Sequence, residues 1–173
     1  MYTGIDAEKK TKAIIILSVL TVLWMAVIFL FSSQPAEQSA QLSGVISTAI
    51  SNLSKSIYGN NPPSFVDFII NNGEHFVRKT GHIAEYFLLG ALVMMLVKRL
   101  DFMRFWNSLP ASRTYILVSL LICILYASSD EIHQIFVPGR GPLVTDVLLD
   151  SCAAFLGILL ARRTGSHDKV SAT

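Results

Sequence analysis

The sequence predicts an all-α membrane protein, a four-transmembrane-helix bundle with an amphipathic helical segment between the first and second spans. Three observations predict it. The 173 residues are 52% hydrophobic and only 15% charged, with a mean hydropathy of +0.53, too apolar and too segmented for an ordinary soluble domain. Residues 13–31, 78–98, 114–134 and 143–161 each approach the length that carries a helix across a bilayer, about 20 mostly apolar residues. Basic residues gather in alternate connections, the pattern that sets membrane topology. On this reading residues 1–173 form a single domain.

The first span follows Lys9, Lys10 and Lys12 and resembles a signal peptide in that respect. Its apolar run of residues 13–31 outlasts a secretory h-region, which is usually about 7 to 15 residues long. It reads as an uncleaved helix.

The connection that follows has its own pattern. Leu42, Val45, Ile46, Ala49, Ile50, Leu53 and Ile57 recur at the spacing of one helical face, with Ser39, Ser43, Ser47, Ser51 and Ser54 opposite. This predicts a helix over 36–58 that lies along the outer leaflet or packs as a lid on the bundle. Gly59-Asn60-Asn61-Pro62-Pro63 ends it. Ser64 and Asp67 then read as a capping box opening a second short helix over 64–71.

The second, third and fourth spans each carry ionisable residues at one end. Arg78, His82 and Glu85 are spaced by four and three, so they share a stripe with Lys79 and Tyr86 alongside. Asp130 shares a face with His133 or Gln134, and Glu131 points elsewhere. Pro138 and Pro142 stop the third helix, leaving Arg140 on a constrained loop. Asp146 and Asp150 lie one turn apart, above the small residues Ala153, Ala154 and Gly157 that permit close helix packing.

Loop charge orients these ends. Lys9, Lys10 and Lys12, then Lys98, Arg99, Arg104 and Arg113, then Arg162, Arg163 and Lys169 make ten of the 14 basic residues. This predicts both termini in the cytoplasm and the three polar clusters together at the outer face.

Charge near the bilayer centre costs at least roughly 2.5 kcal/mol per residue on insertion scales, and such residues usually serve a function. His82, Glu85, Asp130, Glu131, His133, Asp146 and Asp150 are therefore candidate catalytic residues. Arg78, Lys79, Tyr86, Gln134 and Arg140 are candidates for binding an anionic substrate, a guanidinium being suited to phosphate or carboxylate. The plainer alternatives are a His82–Glu85 ion pair, a salt bridge from Arg140 to Asp146 or Asp150, and a self-neutralising network. Buried ion networks seldom stabilise a fold more than apolar packing does, which favours a site.

No cofactor is identified. A divalent cation is an open alternative, because His82, Glu85, Asp130, His133 and the aspartates include nitrogen and oxygen donors, but no H-E-x-x-H motif is present. Cys123 and Cys152 fall mid-span and read as small hydrophobes. With a net charge of +2 and no basic stripe, nothing points to nucleic acid.

Phe31-Ser32-Ser33-Gln34-Pro35, Arg78-Lys79-Thr80-Gly81-His82 with Glu85-Tyr86, the run from Ser129-Asp130-Glu131 through Ile132-His133-Gln134 to Arg140, and Asp146 to Asp150 together resemble the VanZ-like family of small multi-pass bacterial membrane proteins, over about residues 12–161. The resemblance implies a four-span protein of the bacterial cytoplasmic membrane, in a family whose namesake is linked to low-level resistance to the glycopeptide teicoplanin. It implies no particular reaction.

Three functions compete. The first is an envelope enzyme acting on a lipid-linked or phosphate-bearing substrate, its partner a membrane lipid or lipid-linked envelope precursor. The second is a non-catalytic binder that masks an anionic envelope component. The third, an ion pathway, is disfavoured because Met94, Met95, Leu96, Ile122, Ile124 and Leu156 continue no polar track.

Overall fold

A computed structural model describes residues 4–59, 61–100 and 111–163, and among these it is all-helical. The helices are α1 (Gly4–Ser32), α2 (Ala36–Tyr58), α3 (Ser64–Asn71), α4 (Gly73–Leu100), α5 (Ala111–Gln134) and α6 (Val144–Arg163). Four have the length and apolar character to cross a membrane, over Ala7–Ser32, Phe76–Leu100, Ser112–Gln134 and Val144–Arg163. Hydropathy underestimated the first and second of them. A helix continues through polar ends wherever its backbone bonds can be made, so Lys9, Lys10 and Lys12 belong to α1. Arg104, Lys169 and Asn60 lie outside the described residues, as do the side chains of Leu42 and Asn71.

α4 is the central element, and its closest partner is α6. Their axes approach until backbone meets backbone. A Cβ at Gly90 would fall on the carbonyl of Ala154, and one at Gly157 on the carbonyl of Phe87. Buried Leu89, Val93, Met94, Ala153, Ala154 and Ile158 fill the seam between them, with Cys123 and Ala127 from α5 and Ile28 from α1. α1 touches the bundle along one stripe, Thr21, Trp24, Met25 and Ile28, at helical spacing. The Trp24 indole donates to the Glu85 carbonyl at 2.9 Å, and Tyr126 donates to the Met25 carbonyl at 2.6 Å. Much of the other side of α1, including Val22, Leu23 and Leu30, is exposed and apolar.

The chain alternates in direction, so the end of α1, the start of α4, the end of α5 and the start of α6 meet. Ser33 contacts His133 at 3.0 Å, and Lys79 contacts Asp146 at 3.2 Å. At the opposite end Lys98 donates to the last carbonyls of α6.

Two expectations change. α2 packs on α4 through its serine face: Ser43 and Ser54 are each 6% exposed, whereas Val45 and Ile57 are 70% and 63% exposed. The predicted apolar face therefore points away from the bundle, which rules out a lid packed through it. α3 opens without a capping box. Pro63 holds the non-helical first position and its carbonyl receives the amides of Val66 and Asp67, which leaves Ser64 already inside the first turn. Both cysteines lie in spanning helices, Cys123 buried and Cys152 exposed on α6.

Candidate functional site: a cationic cavity at one end of the bundle

Two adjoining cavities occupy the end where α1, α4, α5 and α6 meet. One, of about 190 Å³, lies between α4, the exit of α1 and the serine face of α2. The other, of about 180 Å³, lies between α4, the start of α6 and the loop after α5. Arg78, His82 and Arg140 line both.

The one-turn spacing of α4 sets Arg78, His82 and Glu85 along the first cavity. Arg140 reaches the same wall because α5 unwinds through successive turns, with Phe136 donating to His133 and Val137 to Gln134. Gly139 then reverses the chain at φ 75°, a conformation open to glycine, and Ala36 donates to the Pro138 carbonyl at 3.2 Å, tying the loop to α2. Among the described residues the Arg140 guanidinium reaches only the Phe31 carbonyl, at 3.5 Å, and its buried Nε has no hydrogen-bond partner. Burial, and then the neighbouring charge of Arg78, press the Arg140 pKa below its ordinary value, against the opposing pull of Asp130, Glu131 and Glu85.

The second cavity adds Lys79, Gln134 and Asp146. Lys79 and Asp146 form an ion pair at 3.2 Å with both side chains partly exposed. Asp146 is paired with Lys79, and among the described residues Arg140 makes no salt bridge to Asp146 or Asp150, the plainer alternative. Across the two cavities three basic side chains, Arg78, Lys79 and Arg140, stand against two acids, Glu85 and Asp146.

One turn deeper lies a buried polar layer. Gln134 spends both amide hydrogens, donating to Ser32 Oγ at 3.1 Å and Asp130 Oδ2 at 3.2 Å. The other oxygen of Asp130, one oxygen of Asp150 and the Tyr86 hydroxyl are buried with no hydrogen-bond partner among the described residues. Tyr86 lies within electrostatic reach of both aspartates. His82 Nδ1 stands 3.8 Å from Glu85, close enough for an ion pair if the ring is protonated but too far for a hydrogen bond.

Two candidates are committed elsewhere. Glu131 accepts the amide of Leu143 at 2.8 Å, satisfying a donor at the entry of α6. His133 meets Ser33 Oγ at 3.0 Å and lies against the Phe29 ring, its centroid 4.4 Å away. The Ser33 hydroxyl is 2.6 Å from the Phe29 carbonyl, to which it donates, so the contact to His133 is a strap between helices rather than an activated nucleophile. Neither residue lines either of these two cavities.

Of the twelve candidates, then, Arg78, Lys79, His82, Glu85, Gln134, Arg140 and Asp146 face the cavities. Tyr86, Asp130 and Asp150 form the layer below. Ser39 and Ser43 also line the first cavity, and sequence reasoning placed them opposite an apolar stripe without assigning them to the site. Among the described residues no three His, Cys, Asp or Glu side chains are grouped to hold a metal ion. The arrangement can bind an anion and offers His82 and Glu85 as proton carriers next to it.

No curated protein and no solved structure matches the chain. The VanZ/LLP1 family pattern matches residues 17–165, a range that holds every residue of the two cavities and of the layer below them. The chain belongs to the VanZ/LLP1 family.

Proposed function

We propose that this envelope membrane protein presents its cationic cavity to the extracytoplasmic side of the bacterial cytoplasmic membrane and there acts on a phosphate-bearing envelope substrate. The single observation that carries the reading is that Arg78 and Arg140 share the wall of both cavities. Two guanidinium groups on one wall of a partly buried space favour an anion there, and each can grip phosphate in a forked geometry.

The orientation rests on charge. Lys9, Lys10 and Lys12 at the start of α1, Lys98 and Arg99 at the end of α4, Arg113 at the start of α5, and Arg162 and Arg163 at the end of α6 all belong to the end opposite the cavities. By the positive-inside rule that end and both termini are cytoplasmic.

In the catalytic form of the reading, Arg78 and Arg140 hold the phosphate while His82 transfers a proton and Glu85 orients it. Arg140→Gln then removes a charged hydrogen-bond donor worth about 1.5–3 kcal/mol, a ten- to hundredfold loss in binding. His82→Ala abolishes turnover and leaves binding, membrane insertion and abundance unchanged. Purified protein titrated with a phosphate-bearing lipid, with product followed by mass spectrometry, checks both.

A second reading, a binder that masks an anionic component, is favoured by the 3.8 Å gap that leaves His82 Nδ1 without a hydrogen bond. It predicts that His82→Ala leaves function intact and that the lipid is recovered unchanged. Either form alters what a glycopeptide meets at the outer face, which is how the protein would affect glycopeptide susceptibility.

A further inference from the structure

The first cavity reaches the flank of the bundle as well as its end. Phe31 and Ile46 line it, yet they are 46% and 45% exposed, so each borders the cavity on one side and the outer surface on the other. Val77 completes an apolar wall between them. α2 sets the character of that flank, because its serines turn inward and Val45, Leu53 and Ile57 turn out. An apolar surface of this extent on a four-span protein belongs against hydrocarbon, so the opening beside Ile46 gives onto lipid.

We infer that the ligand is a membrane lipid with a phosphate headgroup, and that it enters sideways between the exit of α1, α2 and α4. This rests on the anion reading of Arg78 and Arg140 given above. The phosphate sits at the wall shared by the two cavities. Its apolar chain leaves past Val77, Ile46 and Phe31, with Ser39 and Ser43 offering hydroxyls to the ester region. Whatever the phosphate carries beyond it occupies the second cavity beside Lys79 and Gln134. Size agrees: the first cavity is about 190 Å³. That accommodates a phosphate and the first methylenes, and the remaining chain stays in the bilayer. A soluble phosphate would gain nothing from the apolar wall.

The test uses the full-length protein in nanodiscs and two probes sharing one headgroup, phosphatidic acid and glycerol 3-phosphate. The expected result is that phosphatidic acid binds far more tightly. Ile46→Trp and Val77→Trp each narrow the opening and reduce the preference for the lipid by about tenfold, the loss of roughly two buried methylenes. Ile46 lies on the surface of α2, so its variant stays informative if Val77→Trp assembles poorly. The inference is overturned if glycerol 3-phosphate competes as well as the lipid. It is also overturned if both tryptophan variants keep the full preference while Arg140→Gln still weakens both probes, in which case the anion site stands and the sideways entry does not. If Arg140→Gln changes neither probe, the anion reading has failed and the entry route falls with it.

Discussion

Arg140 is the residue on which the site turns. Its backbone is fixed by Gly139 and by the Pro138 carbonyl's contact with Ala36, while its head group makes one long contact among the described residues. A guanidinium with five donors and so little to bind is held ready for something else. Glu131 is the opposite case: a buried acid fully explained by the amide of Leu143. Glu131→Ala is expected to cost about 1 kcal/mol by orphaning a donor at a helix entry. Thermal unfolding in detergent should show the lower midpoint, with anion binding retained. Loss of binding at normal stability would move Glu131 back among the working residues.

The roles of Glu131 and His133 were hidden in the sequence for a physical reason. Each depends on a partner brought close only by the fold, Leu143 across the loop and Ser33 just past α1. The spacing of Arg78, His82 and Glu85 was legible because all three lie on one helix, where periodicity alone decides their face.

Among the elements, α2 shows most clearly what patterning can and cannot give. Its extent and that of α3 follow from proline and glycine punctuation at Pro35, Gly59 and Pro63, and both helices run over the expected residues. Its facing is open from sequence because hydrophobic periodicity names an apolar stripe without naming the solvent. In water the stripe would turn inward. Beside a bilayer it can turn outward, and the serines turn in to line the polar cavity. Leu53→Lys is accordingly expected to leave core packing intact and weaken the hold of α2 on the membrane, seen as faster hydrogen exchange over 36–58 in nanodiscs. Unaltered exchange would place that face in water.

The seam between α4 and α6 gives a harder test. Gly90→Leu drives a side chain into the Ala154 carbonyl. Overpacking in a core typically costs about 1–3 kcal/mol, and here the obstacle is backbone that cannot turn aside. The folded yield should collapse, whereas Cys152→Ala on the outer face should not change it. A stable Gly90→Leu protein with native melting behaviour would contradict this packing.

For the whole molecule, four helices crossing in alternate directions bring polar ends from distant parts of the chain to one depth. The composition made the spans plain and the charge of the loops made a shared end plausible. What no linear pattern could give was the arrangement at that end, with seven candidates facing cavities, three forming the layer beneath and two bonded to neighbouring segments. Orientation is testable on its own. Gly141→Cys, exposed on the loop beside Arg140, should react with a membrane-impermeant maleimide in intact cells. Labelling only after lysis would reverse the topology.

The most direct measurement is a double-mutant cycle on lipid-phosphate affinity, comparing the native protein in nanodiscs with Arg78→Gln, Arg140→Gln and the pair. Two side chains gripping one anion lose their effect together, so each single change should weaken binding at least about tenfold and the pair should depart from additivity by roughly 0.5–3 kcal/mol. Affinities that stay level in all four proteins, or losses that simply add, would show that the two arginines do not share an anion and that the cavity is not the binding site argued for it.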